Sequence, residues 1–130
     1  MQGPIQQSEL SSGMQVVALP VPTAQVVSVV VGVDIGSADE AVGQHGAAHF
    51  VEHMLFKGTQ KRGLGQVDEE IEAMGGAINA YTTHDETVYY ATVRSESWMQ
   101  ALEVLADMLQ NSRFEDTDIA IERQVILEEL

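Results

Sequence analysis

Cysteine is absent from this chain of 130 residues, and basic residues are scarce. Without a thiol, the chain can form no disulfide, no thiolate zinc finger and no cysteine nucleophile. Six lysines and arginines stand against 20 aspartates and glutamates, which gives a formal net charge of -14. This charge repels phosphate backbones, so we expect no nucleic-acid partner. The excess of carboxylates favours solubility, and attraction of a cationic peptide is the alternative interpretation.

Long hydrophobic runs are also missing. The longest, Val26–Val33, is interrupted by Ser28 and Gly32 and is far shorter than the roughly 20 residues needed to cross a bilayer. We therefore expect no membrane span. Residues 1–10 contain neither a basic nor an apolar segment, so no secretory signal is visible. We expect a cytoplasmic protein, with the periplasm and the mitochondrial matrix left open.

The hydrophobic pattern predicts one domain of the α+β class, an antiparallel β-sheet with helices packed on it. Strands are predicted over residues 14–18, 26–35, 77–82 and 87–93, and helices over residues 46–56, 67–74, 98–109 and 116–130. The first two strands are expected to form an antiparallel pair, as are the last two. The final helix has no stop signal before Leu130, so we expect it to continue beyond that residue.

The first predicted helix carries a His-x-x-Glu-His sequence formed by His49, Glu52 and His53. The helical period places both histidines on one face, where their imidazoles can bind one zinc ion. Glu52 lies near that face, and its carboxylate can accept a proton from water without being a ligand. The spacing is that of an inverted zinc-peptidase motif. The alternative is a pair of histidines that bind no metal; His45 and His84 are predicted to lie outside the site.

A catalytic zinc site needs about three protein ligands, and the last predicted helix offers the third. Glu122 and Glu129 are seven residues apart and share a face with the apolar Val125 and Ile126. An unpaired anion buried there would cost several kcal/mol, which a divalent cation would offset. We choose Glu129 as the ligand and Glu122 as its support, because Glu128 points away. The alternative is a frayed helix with solvated glutamates.

Several segments resemble the inverzincin zinc peptidases, the family of pitrilysin, insulin-degrading enzyme and mitochondrial processing peptidase. Residues 46–59, GAAHFVEHMLFKGT, resemble the family's zinc-site segment. Residues 75–82, GGAINAYT, and residues 87–90, TVYY, resemble two of its strands, and residues 122–129 resemble its distal ligand helix. The amino-acid sequence of these segments most resembles that of processing-peptidase-like bacterial members.

The resemblance implies a zinc-dependent endopeptidase that hydrolyses peptides or presequences. In it, His49, His53 and Glu129 would bind Zn²⁺. Glu52 would be the general base and Glu122 a catalytic aid, while Asn79 and Ala80 would lie on an edge strand that captures an extended peptide.

Family members are several times longer and are built from repeated α+β domains. Residues 1–130 are therefore expected to be one partial repeat, the zinc-binding N-terminal domain, and to be weakly active or inactive alone. The resemblance also implies a dimer or a second homologous half. Two alternatives remain: a non-catalytic core-protein-like subunit acting in assembly, against which the intact motif argues, and a structural α+β domain without metal.

Overall fold

The computed structural model describes residues 3–129 and places helices against an antiparallel sheet. The strands are β1 (Gln6–Glu9), β2 (Gln15–Ala18), β3 (Val26–Val33), β4 (Ala77–Thr82) and β5 (Thr87–Arg94). The helices are α1 (Ala47–Leu55), α2 (Gln66–Ala73), α3 (Trp98–Asn111) and α4 (Asp116–Glu129). Two short 3₁₀ turns occupy Ser37–Asp39 and Ser95–Ser97. The expected α+β class with an antiparallel sheet is confirmed.

The main sheet has three strands in the order β3-β5-β4, and both pairings are antiparallel. Its central strand, β5, is rich in β-branched and aromatic residues, which pack well on a pleated surface. β4 lies at an edge, paired with β5 on one side. A short tight connection from Thr82 to Thr87 joins these two strands, as the sequence predicts.

The hydrophobic core lies between the central strand and helices α2 and α3. Residues without exposed surface include Ala91 on β5 and Val67 and Ile71 on α2. They meet fully buried side chains of α3, namely Ala101, Val104, Leu105 and Met108. Leu55 of α1 joins the same cluster, so the helix that carries the His-x-x-Glu-His sequence is anchored to the core by its last turn.

The predicted pairing of residues 14–18 with residues 26–35 is wrong. β2 pairs instead with β1, in a separate two-stranded hairpin, and β3 pairs with β5 over eight residues. Alternate side chains of β3 face the core, whereas all of β2 is exposed, so β3 has more apolar surface to bury against the helices. The strand β1 was missed because its Gln, Ser and Glu side chains carry no hydrophobic signal.

The glycine pair after α2 permits close contact with the central strand. Gly75 has φ of +72°, a conformation that side chains rarely adopt. At Gly76, an added Cβ would lie 2.0 Å from the carbonyl oxygen of Thr92. These two residues therefore let the chain turn directly from α2 into β4 against β5.

Helix boundaries agree with the sequence prediction to within about two residues, which is the usual uncertainty at helix ends. α4 begins at Asp116, and Leu130, where its predicted range ends, lies outside the described residues, as do Met1 and Gln2. No helix among residues 3–129 has both the length and the apolar character needed to cross a bilayer.

Candidate metal centre

Helix α1 begins at a fixed point because a distant carboxylate binds its first turn. Gly46 precedes the helix with φ of +89°, and Glu40 accepts hydrogen bonds from the backbone N–H of Ala48 at 2.8 Å and Gly46 at 3.1 Å. These N–H groups, Ala48 first, hold the pKa of Glu40 below its ordinary value. His45 lies before the helix start, outside its regular face, as predicted.

His49 and His53 are one helical turn apart on α1 and stack on one face. Their ring centroids are 4.5 Å apart with an interplanar angle of 86°, and their Nε2 atoms are 3.0 Å apart. The His53 side chain is 21% exposed and that of His49 is 40% exposed. The two Nε2 atoms therefore face a common point that solvent and a ligand can reach.

Glu129 approaches this point from α4. Its Oε2 atom lies 3.6 Å from Nε2 of His49 and 3.6 Å from Nε2 of His53. Donor atoms at about 2.0–2.1 Å from a tetrahedral zinc ion lie about 3.3 Å from one another. Two nitrogens and one carboxylate oxygen at these separations fit a zinc ion that keeps one position open. Within residues 3–129, these three form the one group of this kind.

Glu122 lies on α4 about two turns before Glu129. It is buried, with its side chain 5% exposed. Its Oε2 lies 2.9 Å from Nδ1 of His53, and its Oε1 lies 2.5 Å from Nζ of Lys57. Burial by itself would raise the pKa of Glu122, but Lys57 and His53 outweigh it and hold the pKa below its ordinary value. Glu122 therefore lies behind His53, on the Nδ1 side of the ring and away from Nε2. This position is compatible with the expected role of Glu122 as a support for the site.

Glu52 lies between the two histidines along α1 and contacts β4. Its Oε2 accepts a hydrogen bond from Oγ1 of Thr82 at 2.5 Å. Burial, and secondarily the negative charge of Glu52, raise the pKa of Tyr89 to about 12, which keeps this phenol neutral. A cleft of about 430 Å³ is lined by Glu52 and His53, together with Lys57, Asn79 and Glu122 among others. A carboxylate beside the candidate ligands thus lines an open cleft.

Asn79 and Ala80 lie on the edge strand β4, opposite Tyr90 and Tyr89 of β5. Asn79 lines the cleft, and its Oδ1 accepts a hydrogen bond of 2.8 Å from the backbone N–H of Ala80. The Asn79 side chain thereby satisfies one backbone N–H group of the edge strand. An incoming extended segment could replace this amide oxygen as the acceptor of that N–H.

The structure brings together His49, His53 and Glu129, with Glu122 behind them and Glu52 in the adjoining cleft. His84 is elsewhere: its Nδ1 lies 3.3 Å from Oγ of Ser37, as a loop residue would be placed. Sequence reasoning missed Lys57, which directly follows the helix predicted over residues 46–56, and Thr82, the last residue of the strand predicted over residues 77–82. Neither assignment contained a signal for the carboxylate that each contacts.

A larger cleft of about 470 Å³ lies on another side of α1 and is mainly apolar. Val33, Leu55 and Leu109 are among its lining residues, and no histidine is. Its volume is similar, and the two carboxylates that line it, Asp39 and Glu40, accept hydrogen bonds from backbone N–H groups and have no histidine beside them in the cleft. The candidate site is therefore the cleft that contains Glu52 and His53.

Several known proteins are similar to this chain. Residues 15–130 match the family described as Insulinase (Peptidase family M16). A zinc protease of Rickettsia bellii is 44% identical over 95% of this chain and 30% of its own length. The mitochondrial-processing peptidase subunit beta of Neurospora crassa is 43% identical over 95% of this chain and 26% of its own length.

A solved protease from Helicobacter pylori superposes with a TM-score of 0.91 at 31% identity, over 97% of this chain and 30% of that one. The chain thus spans about 30% or less of the length of these relatives.

Proposed function

The chain belongs to the insulinase family, peptidase family M16, and from that premise we propose that it is the zinc-binding domain of a metalloendopeptidase. The observation that carries the proposal is the convergence of three donor atoms, Nε2 of His49, Nε2 of His53 and Oε2 of Glu129. Relatives are named zinc protease and mitochondrial-processing peptidase, which supports a peptidase function. The proposed domain is residues 1–130, and the rest of the catalytic enclosure would come from a second homologous half or a dimer partner.

We propose that His49, His53 and Glu129 hold Zn²⁺, which would acidify water and polarise a peptide carbonyl. Glu52 is then the general base. Its carboxylate faces the cleft, takes a proton from the attacking water and passes that proton to the leaving amine. Glu122 accepts a hydrogen bond from the Nδ1–H of His53, which leaves Nε2 unprotonated and free to bind the metal.

Peptide substrate is proposed to add as an extended strand along β4. The edge position of β4 supports this, because an edge strand offers unpaired backbone groups to a further strand. The Ala80 N–H would bond a peptide carbonyl, and the Asn79 side chain would turn to the cleft. This arrangement holds a bound peptide beside Glu52, which lines the same cleft as Asn79.

Metal analysis of the complete gene product tests the zinc site. After dialysis against metal-free buffer, we expect about one zinc ion per chain, as a structural or catalytic site would retain. His53→Ala should lose that zinc, whereas His84→Ala, the matched control outside the cluster, should keep it. A wild-type protein that takes up no added zinc would overturn the proposal.

Cleavage of a fluorogenic peptide by the same protein tests the base. Glu52→Gln should keep its zinc but lose about 10²–10⁴-fold in kcat, the usual contribution of general base catalysis. Unchanged cleavage would exclude Glu52, and no cleavage by a zinc-loaded wild type would favour the non-catalytic assembly subunit. A cytoplasmic location, with the periplasm and the mitochondrial matrix as alternatives, is also proposed and is decided by cell fractionation.

A further inference from the structure

A buried carboxylate lies behind the candidate metal ligands, between a histidine ring and a lysine ammonium group. Glu122 contacts Nδ1 of His53 through Oε2 and Nζ of Lys57 through Oε1. Its side chain is 5% exposed, so water can replace neither contact readily. Each oxygen of this carboxylate is therefore committed to one partner, and its plane is set by both.

We propose that Lys57 is a positioning residue for the metal site: it fixes the Glu122 carboxylate so that Nδ1 of His53 donates to it and Nε2 stays free for the metal. This inference rests on the proposed function, because Nε2 of His53 is one of the proposed ligand atoms. Groups that hydrogen-bond the second nitrogen of a ligating histidine fix the tautomer and the orientation of its ring. Lys57 acts one step further back, on the group that does so.

The backbone of Lys57 is itself held in place. Its N–H donates to the carbonyl oxygen of Met54 at 3.1 Å, and its own carbonyl oxygen accepts a hydrogen bond of 2.9 Å from Nη2 of Arg113. The next residue, Gly58, has φ of +112° and accepts a hydrogen bond from the Arg113 N–H at 3.2 Å. The lysine side chain therefore starts from a turn bound to the loop before α4, the helix that carries Glu122.

A side chain at Gly58 would collide with this clamp. An added Cβ would lie 2.8 Å from Nη2 of Arg113 and 2.7 Å from the carbonyl oxygen of Arg62. The short distance between the turn and the arginine thus depends on glycine. Through this clamp the end of α1 is joined to the loop before α4, and through the Lys57–Glu122 ion pair it is joined to α4 itself.

Removal of the lysine ammonium would leave Oε1 of Glu122 without this partner in a buried place. The carboxylate could then rotate to share both oxygens with His53 or admit water, and the ring of His53 would lose its fixed tautomer. Loss of outer partners of metal ligands commonly weakens metal affinity by 10–100-fold. We expect Lys57→Met to weaken zinc binding by about that factor.

Lys61→Met is the matched control. Lys61 lies four residues away and is 62% exposed, and its Nζ pairs with Glu103 at 2.8 Å, on the other side of the loop. The Lys61→Met substitution removes the same charge and one ion pair, but Lys61 contacts none of the candidate ligands. Lys57→Arg, which keeps a cation with donor groups, is the conservative variant and should recover most of the lost affinity.

The experiment uses the complete gene product and two readouts. Zinc affinity is measured by competition with a chelator of known affinity, and the His53 tautomer is read from long-range ¹⁵N–¹H NMR spectra of the metal-free protein at a fixed pH. We expect one dominant Nδ1–H tautomer in the wild type and in Lys61→Met, and a mixture with weakened zinc binding in Lys57→Met. If Lys57→Met does not fold, Lys57→Gln provides the same comparison with a neutral donor.

Unchanged zinc affinity together with an unchanged tautomer in the Lys57 variant would overturn this inference, as would equal weakening in Lys61→Met. A wild type that binds no zinc would instead overturn the proposed function. The tautomer of the metal-free protein would still decide whether Lys57 orients Glu122, so the two failures are distinguishable.

Discussion

Oγ1 of Thr82, on the edge strand β4, donates a hydrogen bond of 2.5 Å to Oε2 of Glu52, in the middle of α1. This bond joins the proposed general base to the strand proposed to capture substrate. Among the described residues, Oε1 of Glu52 has no hydrogen-bond partner, so it is the oxygen that remains for water. The contact therefore fixes which of the two carboxylate oxygens can take a proton.

Thr82→Val removes this hydrogen bond with almost no change in shape. A hydrogen bond to a charged group is worth about 1.5–3 kcal/mol, so we expect kcat to fall by roughly 10–100-fold. KM and zinc content should stay near the wild-type values, since Thr82 touches no candidate metal ligand. Steady-state cleavage of a peptide by the complete gene product measures this. Thr92→Val, which breaks a hydrogen bond to Ser28 on the same sheet, should leave kcat unchanged.

Zinc should stabilise the folded protein, because the three donor atoms meet only when α1 and α4 are packed together. At a free zinc concentration about 100 times Kd, the expected gain in the free energy of unfolding is about 2.7 kcal/mol. A chelator should remove the gain, and His53→Ala should abolish it. Thermal unfolding with and without zinc measures the shift; the same shift in His53→Ala would contradict the ligand assignment.

Glu40 should make stability depend on pH. Its pKa is lowered in the folded protein, chiefly by the N–H of Ala48 and then by that of Gly46, so the unfolded chain binds a proton more readily. The stabilisation is therefore present above the unfolded pKa and is lost as pH falls through the lower folded pKa. Glu40→Gln should lower the midpoint of thermal unfolding at neutral pH, and the difference from wild type should vanish in acid.

The control for Glu40 is Glu72→Gln on α2. Glu72 is exposed, and its side chain has no hydrogen bond or ion pair among residues 3–129, so its replacement changes the net charge equally without uncapping a helix. A Glu72 variant that loses as much stability as the Glu40 variant would show that net charge, and not the helix terminus, carries the effect.

Arg62 should be a major source of stability away from the candidate metal site. Its Nη1 lies 2.7 Å from Oδ2 of Asp107, and both side chains are buried. Burial alone would raise the pKa of Asp107, but hydrogen bonds from Thr59, Asn111 and Arg62 outweigh it and lower the pKa. Arg62→Met leaves this carboxylate without its cation, which typically costs about 3–5 kcal/mol.

The double variant Arg62→Met/Asp107→Met tests whether the loss of stability comes from the buried Asp107 carboxylate left without its cation. Replacing both partners of a buried pair by apolar side chains is usually much less costly than removing one. In urea unfolding, the double variant should therefore lose less free energy of unfolding than the two single variants lose in sum. Strict additivity would show that Arg62 stabilises the loop through Glu70 and Glu103 instead.

Elements with a strong local pattern were predicted well. α1 and α3 follow from apolar residues at three- and four-residue spacing, and β4 and β5 from β-branched and aromatic runs. The pairing of β2 with β3 was wrong, because strand pairing depends on which surfaces the helices cover, and no local pattern reports that. The short polar strand β1 escaped for the same reason: its partner, not its composition, makes it a strand.

The sequence by itself determined that His49 and His53 share a helix face with Glu52 beside them, because the helical repeat is a property of the backbone. It also offered the glutamates of the last helix as candidates for a third ligand. Only the tertiary structure decided that Glu129 reaches both Nε2 atoms, that Lys57 and His53 share Glu122, and that Thr82 holds Glu52. These contacts join residues that are distant along the chain, and their distances depend on how α1, α4 and β4 pack together.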